Sequence, residues 1–430
     1  MDLNEELLSF ISRSPTAFHA VENTAKLLAD AGFEELYETE DWSLAPGARA
    51  FVRRNGSSLI AFRVPEGTPS GLQLAAAHSD SPCFKLKENA ALEGDGYRRL
   101  SVEKYGGMLC APWLDRPLSL AGRVTLREDG KLVSRLVDLG RPVALIPNLA
   151  IHMDRSANEG KTYDVFKDMP PLFSLAGGRG PEALIAEALG VREDDILSKE
   201  LFLYPCTSGT VWGAEEEFIS SPRLDDLQCV FGCLRGFLEA ESSGALTALC
   251  VFDNEEVGSG SKQGADSTFL SDVLRRVFLA RGLGEGDLMR CAANGLMVSA
   301  DNAHAVHPNH PGEADRNERP VPNGGVVIKY NANARYTTDS VSAALFTELC
   351  RRAEVPVQRY SNRADKPGGS TLGNISLAHL SLDCLDVGLA QLAMHSCYET
   401  AGAKDTEYLV RAMRAFFSST ICKGPEGIFF

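Results

Sequence analysis

Among its eleven cysteines the sequence has no CxxC pair, and it lacks both a bilayer-length apolar run and a surplus of basic residues. An odd number of cysteines, scattered through apolar runs such as TALCVF and FTELC, does not read as a disulfide framework or a zinc ribbon; these thiols behave as small buried hydrophobes. Cys229 and Cys233, at i,i+4 spacing in LQCVFGCLRGFL, read the same way against the alternative of a metal or redox pair. No apolar run approaches the roughly 20 residues needed to span a bilayer. The acidic start MDLNEELLSFISRS has no basic segment ahead of an apolar core, so no secretory signal is expected and the chain reads as cytoplasmic. Lys and Arg number 43 against 58 Asp and Glu, a net charge of −15, which leaves no basic face for phosphate and excludes nucleic acid and anionic membrane as partners. Internal repeats and low-complexity tracts are also missing.

What is present is ordinary globular usage, 44% hydrophobic and 23% charged over 430 residues. That length exceeds what one hydrophobic core usually serves, so two domains are expected, one inserted in the other. ELLSFISRSPTAFHAVENTAKLLADAGF carries apolar residues at three- and four-residue intervals and predicts two amphipathic helices. FVRRNGSSLIAFRV predicts a hairpin with a two-residue turn at Asn55-Gly56, and GLQLAAAHSD a further strand. From about Glu88 the texture changes to short alternating runs around Asp129-Gly130, rich in Pro and Gly, which predicts a β-rich insert over residues 88–216 within a domain of residues 1–87 and 217–430. After Ser220 helices and strands alternate again: LDDLQCVFGCLRGFLEA as helix, ALTALCVFDNEE as buried strand, TFLSDVLRRVFLARGL as helix, NGLMVSADNAHAV and GVVIKYN as strands, DSVSAALFTELCRRA as helix. LDCLDVGLAQLAMHSCYETAG reads as strand, loop and helix, and HPGEADRNERPVPNGG as a long loop. The fold class is α/β.

Metal-competent side chains stand where apolar strands end, which is where open α/β sheets place their ligand crevices. His78 closes LQLAAAHSD, and Asp80, two residues on, is placed to accept the other imidazole N–H if the strand continues. A hydrogen-bonded core histidine has the same appearance. Glu255 and Glu256 follow LTALCVF and precede Gly258; adjacent side chains point different ways, so one carboxylate can hold a metal while the other takes a proton from water. A solvated acidic loop is the plainer alternative. Asp301 ends GLMVSAD. Asp225 opens a helix in SPRLDDL, where it or Asp226 also suits a capping role. His395 stands in LAMHS at the entry to the expected helix, and His304, His307 and His310 recur in AHAVHPNHP, where supporting or structural roles fit best. Nothing here has the local specificity of HExxH. The donor types suit Zn²⁺, with Mn²⁺ or Co²⁺ able to substitute, and the residues by themselves reach as far as a carboxylate-rich metal hydrolase.

AAAHSDSP, PNLAIHM, SPRLDDL, FDNEEVGS, SADNAHAVHPN, VIKYN with RY, and QLAMHS resemble, in order and nearly end to end, the motifs of the M18 (aspartyl aminopeptidase) family. The resemblance implies a mixed-sheet zinc aminopeptidase of phosphorylase/hydrolase-like fold, with the β-rich insert as a dimerisation domain. It implies two zinc ions per subunit. His78 and Asp301 would hold one, Glu256 and His395 the other, and Asp225 would bridge them, with Glu255 as general base and Asp80 orienting His78. His152, in AIHM, matches a histidine that stabilises the oxyanion, from a neighbouring subunit in one reading and a packed loop residue in another. Lys329 and Tyr336 match the region shaping the substrate pocket, where a cation would favour an N-terminal Asp or Glu; a surface lysine is the alternative. The implied substrates are peptides with a free N-terminus, and the implied assembly is a homo-oligomer, a dodecamer built from dimers. Two other readings stand beside this one: a carboxypeptidase or amidohydrolase using the same metal cage, and a non-catalytic, self-assembling shell protein.

Overall fold

Long apolar runs such as LTALCVF and LQLAAAH have no polar face, so each strand they form must be covered on both sides. The computed structural model, which describes residues 2–369 and 371–430, does this with a nine-stranded mixed sheet. Its spatial order is Glu34–Leu36, Arg49–Arg54, Ser58–Arg63, Leu246–Phe252, Leu72–His78, Leu296–Ala300, Asp383–Gly388, Val326–Tyr330 and Val357–Ser361. The four strands from Leu246–Phe252 to Asp383–Gly388 are mutually parallel, and their register sets Phe252 opposite His78 and Ala300 opposite Val387. Their carboxyl ends therefore share one edge.

Side chains alternate between two cores. Leu249 and Val251 enter the first and Leu246, Ala248, Cys250 and Phe252 the second; Ala75 and Ala77 likewise oppose Leu72, Leu74 and Ala76. Helices Leu3–Ser12, Ala17–Asp30, Leu224–Glu239, Ser340–Arg352 and Asp405–Ser418 cover the first face, and Phe269–Ala280 with Glu285–Ala293 cover the second.

A six-stranded antiparallel sheet lies between Cys83 and Pro205, in the order Lys131–Asp138, Leu118–Glu128, Ile196–Pro205, Cys83–Gly94, Tyr97–Tyr105 and Leu172–Leu175. It has its own core around Phe84, Trp113, Leu120, Leu126 and Leu203. A smaller five-stranded sheet joins Thr210–Trp212, Phe218–Ser221, Glu399–Gly402, Ala390–Leu392 and Ala303–His304.

The Asp129-Gly130 turn is a two-residue hairpin with both residues at positive φ, 48° and 74°. At Asn55-Gly56 the loop is instead three residues long, because Arg54 pairs with Ser58. Ser57 is drawn out of the ladder: its carbonyl accepts the Ser79 hydroxyl at 2.8 Å, and its own hydroxyl accepts the Asn55 amide at 3.1 Å. A second correction concerns residues 382–402, read from sequence as strand, loop and helix. They form the strands Asp383–Gly388, Ala390–Leu392 and Glu399–Gly402, and the helix starts only at Asp405. Ala393 and His395 take φ of 56° and 66°, which no right-handed helix admits, and the flanking residues pair across the turn, Gln391 with Ala401.

Helices Leu224–Glu239 and Asp405–Ser418 approach closely through Gly232 and Gly236. A Cβ on Gly236 would lie 2.5 Å from Met413 Cβ and 2.9 Å from the Val410 carbonyl oxygen. Alanine is the better helix former by about 1 kcal/mol, but overpacking costs about 1–3 kcal/mol. Gly236→Ala is therefore expected to lower the denaturant midpoint, and a rise in that midpoint would contradict the close approach.

Candidate metal centre

The shared carboxyl edge brings distant residues together. His78 is the last residue of its strand. Beyond Phe252 the chain reverses through Asn254 (φ 63°) and Gly258 (φ 94°), which puts Glu255 and Glu256 on one short 3-10 turn. Asp301 follows Ala300 directly. Asp225 and Asp226 enter from the start of helix Leu224–Glu239, where both leave helical angles and are joined by a cis peptide bond. Neither caps that helix: Asp226 Oδ2 accepts the backbone N–H of His78 at 3.1 Å, and Asp225 faces the cluster. His395 arrives on the turn between Ala390–Leu392 and Glu399–Gly402 rather than at a helix entry.

Three groups of ligand-type atoms result, each within 4.8 Å: His78, Asp225, Asp226 and Asp301; His78, Glu255 and Glu256; and Asp225, Glu256 and His395. The imidazoles are held alike. His78 Nδ1 lies 3.1 Å from the Asp80 carbonyl oxygen, and His395 Nδ1 2.6 Å from that of Gly107. A proton placed on each Nδ1 to satisfy these carbonyls leaves each Nε2 a lone pair. Those lone pairs face the two oxygens of a single carboxylate: His78 Nε2 is 3.4 Å from Asp225 Oδ1, and His395 Nε2 is 3.5 Å from Asp225 Oδ2 and 3.4 Å from Glu256 Oε2.

Hydrogen bonds to the backbone set these side chains. Asp80 was expected to take the His78 N–H on its carboxylate; its carbonyl lies closer, 3.1 Å against 3.4 Å for Oδ1. Its carboxylate instead accepts the N–H groups of Glu255 at 3.2 Å and Glu256 at 3.1 Å, and the Tyr105 hydroxyl at 2.7 Å. Glu399, which sequence reasoning passed over, accepts the N–H of Asp225 at 3.0 Å and of His395 at 2.8 Å. A lone charged residue in YETAG, four positions after His395, was its only signal.

Lys329 is buried rather than on the surface, with Nζ 3.4 Å from Asp301 Oδ2 and 5.5 Å from the centre of the buried Tyr336 ring. His152 lies on an exposed turn, outside the three groups. His304, His307 and His310 are exposed and also outside them. Cys229 and Cys233 are buried free thiols whose ionisation burial suppresses.

Crowded carboxylates make the site strongly acidic. Burial pushes Glu255 up to about 8, and Asp301, Asp80 and Asp225 add to it while His78 opposes. Glu256 rises for the same reason, burial first and then Asp225. Asp225 goes the other way: burial works against its charge, but the adjacent His78 ring outweighs it, aided by His395 and Lys329. Burial opposes an imidazolium at His78, yet Asp226, Asp225 and Asp80 raise its pKa in the metal-free chain, so a cation that uses the Nε2 lone pair competes there with a proton. Asp225 Oδ1 and Glu256 Oε1 are buried with no hydrogen-bond donor among the described residues. Unsatisfied buried oxygens beside imidazole lone pairs are a nitrogen and oxygen donor set suited to zinc, so the residues fit that metal.

A parallel sheet edge carrying this cage defines a metal-dependent hydrolase. The chain belongs to the M18 family of zinc aminopeptidases: the family model described as aminopeptidase I zinc metalloprotease (M18) matches residues 10–417. It is 45% identical over 429 residues to the probable M18 family aminopeptidase 2 of Pseudomonas aeruginosa strain UCBPP-PA14, covering 97% of this chain and 99% of that protein. Among solved structures it is similar to Ape4 in its complex with Nbr1, with a TM-score of 0.93 and 37% identity over 96% of this chain and 85% of that one. It is also similar to the S. cerevisiae mApe1 dodecamer, with a TM-score of 0.85 and 30% identity over 97% and 96% of the two chains. The protein is thus a metallo-exopeptidase of aminopeptidase type, and the carboxypeptidase, amidohydrolase and shell-protein readings give way to it.

A carboxyl held neutral by the fold but ionised when unfolded binds its proton more tightly in the native state, so stability falls as pH rises between the two pKa values. Glu255, at about 8, and Asp253, at about 7, share that sign. The thermal midpoint of the metal-stripped protein should fall as pH rises from the ordinary carboxylate range to about 8, and Glu255→Gln should flatten that slope. A midpoint that rises across this window in calorimetry would contradict the assignment.

Proposed function

We propose that this chain removes the N-terminal residue from peptides with a free N-terminus, with a preference for Asp or Glu, using two zinc ions per subunit that Mn²⁺ or Co²⁺ can replace. The observation that carries the reading is the pair of imidazoles turned onto opposite oxygens of Asp225. His78 and Asp301 would hold one ion, Glu256 and His395 the other, with Asp225 shared between them. When bound, the ions supply Lewis acidity, polarising the scissile carbonyl and making water a stronger nucleophile at neutral pH.

The chain's own groups do the rest. Glu255, on the same turn as Glu256 but free of a ligand role, takes the proton from the attacking water and passes it to the leaving amine. Burial raises the affinity of its carboxylate for a proton, which makes it the stronger base once the bound cations hold it ionised. Asp80 orients His78 through its backbone and fixes the Glu255–Glu256 turn through its carboxylate. Lys329 and Tyr336 line the pocket for the first residue. The buried ammonium favours a carboxylate there, with Asp301 sharing its charge.

Residues 1–87 and 217–430 form the catalytic domain, and residues 88–216 a dimerisation domain. Exposed Ile151, Met153 and Phe166 support an apolar contact on that domain. His152 on the same turn would stabilise the oxyanion of a neighbouring subunit's substrate. The solved S. cerevisiae relative is a dodecamer, and we extend that assembly, built from dimers, to this chain. Eleven free cysteines support a cytoplasmic location.

A panel of dipeptides with free or blocked amino groups tests the reading. Glu255→Gln should lower kcat by roughly 10²–10⁴-fold while zinc stays bound. Lys329→Met should erode the rate advantage of acidic over leucyl substrates by about tenfold, the factor that ~1.4 kcal/mol of binding represents. Near-normal turnover in the first variant overturns Glu255 as the base, and an unchanged ratio in the second overturns the role given to Lys329.

A further inference from the structure

One segment of the second sheet meets the metal centre on both sides of Asp225. Strand Tyr97–Tyr105 ends with the Tyr105 hydroxyl donating to Asp80 Oδ2 at 2.7 Å while accepting from Asn254 Nδ2 at 2.9 Å. Tyr105 thereby ties together the ends of two parallel strands, Leu72–His78 and Leu246–Phe252. Two residues later the Gly107 carbonyl accepts the His395 Nδ1–H at 2.6 Å, and the Leu109 N–H donates to the His395 carbonyl at 3.0 Å. His395 is held at its ring and at its backbone by this one stretch.

Between them Gly106 has φ of +76°, and a Cβ there would sit 3.1 Å from Glu256 Cβ and 3.5 Å from Glu256 Oε2. The chain passes so close to Glu256 that even a methyl group would press on it, and the backbone conformation is one that glycine adopts freely. Four contacts within five residues thus bear on the orienting Asp80, on Glu256 and on His395.

We propose that Tyr105–Gly106–Gly107 is a positioning strap. It sets the rotation and tautomer of His395 and locks the Glu255–Glu256 turn through Asp80, so the second sheet governs how tightly the centre holds a divalent cation and how well Glu255 is aimed. The Gly107 carbonyl fixes the proton on His395 Nδ1, which turns Nε2 towards Asp225 and Glu256. The Tyr105 hydroxyl removes one degree of freedom from the carboxylate that holds the Glu255 and Glu256 N–H groups. Partners of this kind behind metal ligands are commonly worth 10–100-fold in metal affinity or rate. The packing of Tyr105 edge-on against Phe202, centroids 6.0 Å apart, is a separate contribution and provides the contrast for a purely structural role.

The inference rests on the reading of Asp225, Glu256 and His395 as ligands, so Glu256→Gln is measured beside it. Full-length zinc-loaded protein is prepared as wild type, Tyr105→Phe, Gly106→Ala, Phe202→Leu and Glu256→Gln. Each is followed for zinc release to a competing chelator, thermal midpoint, and kcat and KM on an aspartyl dipeptide. Tyr105→Phe should keep its zinc-loaded midpoint near wild type, lower kcat by about tenfold with KM little changed, and release zinc about tenfold more readily. Gly106→Ala should release zinc faster still, and it decides the matter alone if Tyr105→Phe does not fold. Phe202→Leu should lower the midpoint without altering zinc release. The strap is overturned if Glu256→Gln loosens zinc while Tyr105→Phe and Gly106→Ala match wild type in both zinc release and kcat, or if Phe202→Leu reproduces their effects. A Glu256→Gln protein that holds zinc as wild type does overturns the ligand reading itself, and the strap with it.

Discussion

Everything about this site follows from the Asp225 carboxylate, which is buried with each oxygen turned towards a different imidazole. Ionising its neighbours Asp226, Glu255, Glu256 and Asp301 adds negative charge in a space where two unit charges 4 Å apart interact by about 4 kcal/mol at an effective dielectric near 20. Among the described residues, only Lys329 and the two imidazoles answer that charge from within the three groups and their immediate partners. The fold therefore holds an arrangement that is costly without divalent cations and satisfied with them. Buried carboxyls pushed upward around one that is pushed down are the electrostatic record of that arrangement.

The rest of the architecture keeps this crowding from relaxing. Parallel strands in register deliver His78, the Glu255–Glu256 turn and Asp301 to one edge, and two buried cores fix the sheet from both faces. Helix Leu224–Glu239 brings in Asp225, clamped through Gly232 and Gly236 against its neighbour. The final adjustment comes from carboxylates that accept backbone N–H groups of the cluster: Glu399 those of Asp225 and His395, and Asp80 those of Glu255 and Glu256. Such contacts fix position without competing for the ligand atoms.

How much of this could be read from the sequence depends on whether a residue is placed by its own strand or by another element. His78 and Asp301 stand directly after apolar runs, and Glu255 and Glu256 within four residues of one, so the ends of the expected strands alone put them at a crevice edge. Asp225 resembled a helix cap because capping and metal-facing aspartates share the same local pattern; what separates them is the departure from helical angles over Asp225 and Asp226. The expected helix at His395 failed because left-handed φ at Ala393 and His395 carries no composition signal when the residues are not glycine. Tyr105 was passed over since its partner Asp80 lies 25 residues away, and Glu399 since its link to Asp225 spans 174 residues and its local bond to His395 goes to a backbone N–H, which no residue pattern encodes. Family motifs supplied the expected roles of these positions; geometry showed which of them share a carboxylate.

The most direct test is anomalous diffraction at the zinc absorption edge from crystals of the zinc-loaded protein. The account predicts two peaks, one on each oxygen of Asp225, with His78 and Asp301 at the first and Glu256 and His395 at the second. A single peak, or a pair that does not meet at Asp225, would contradict it.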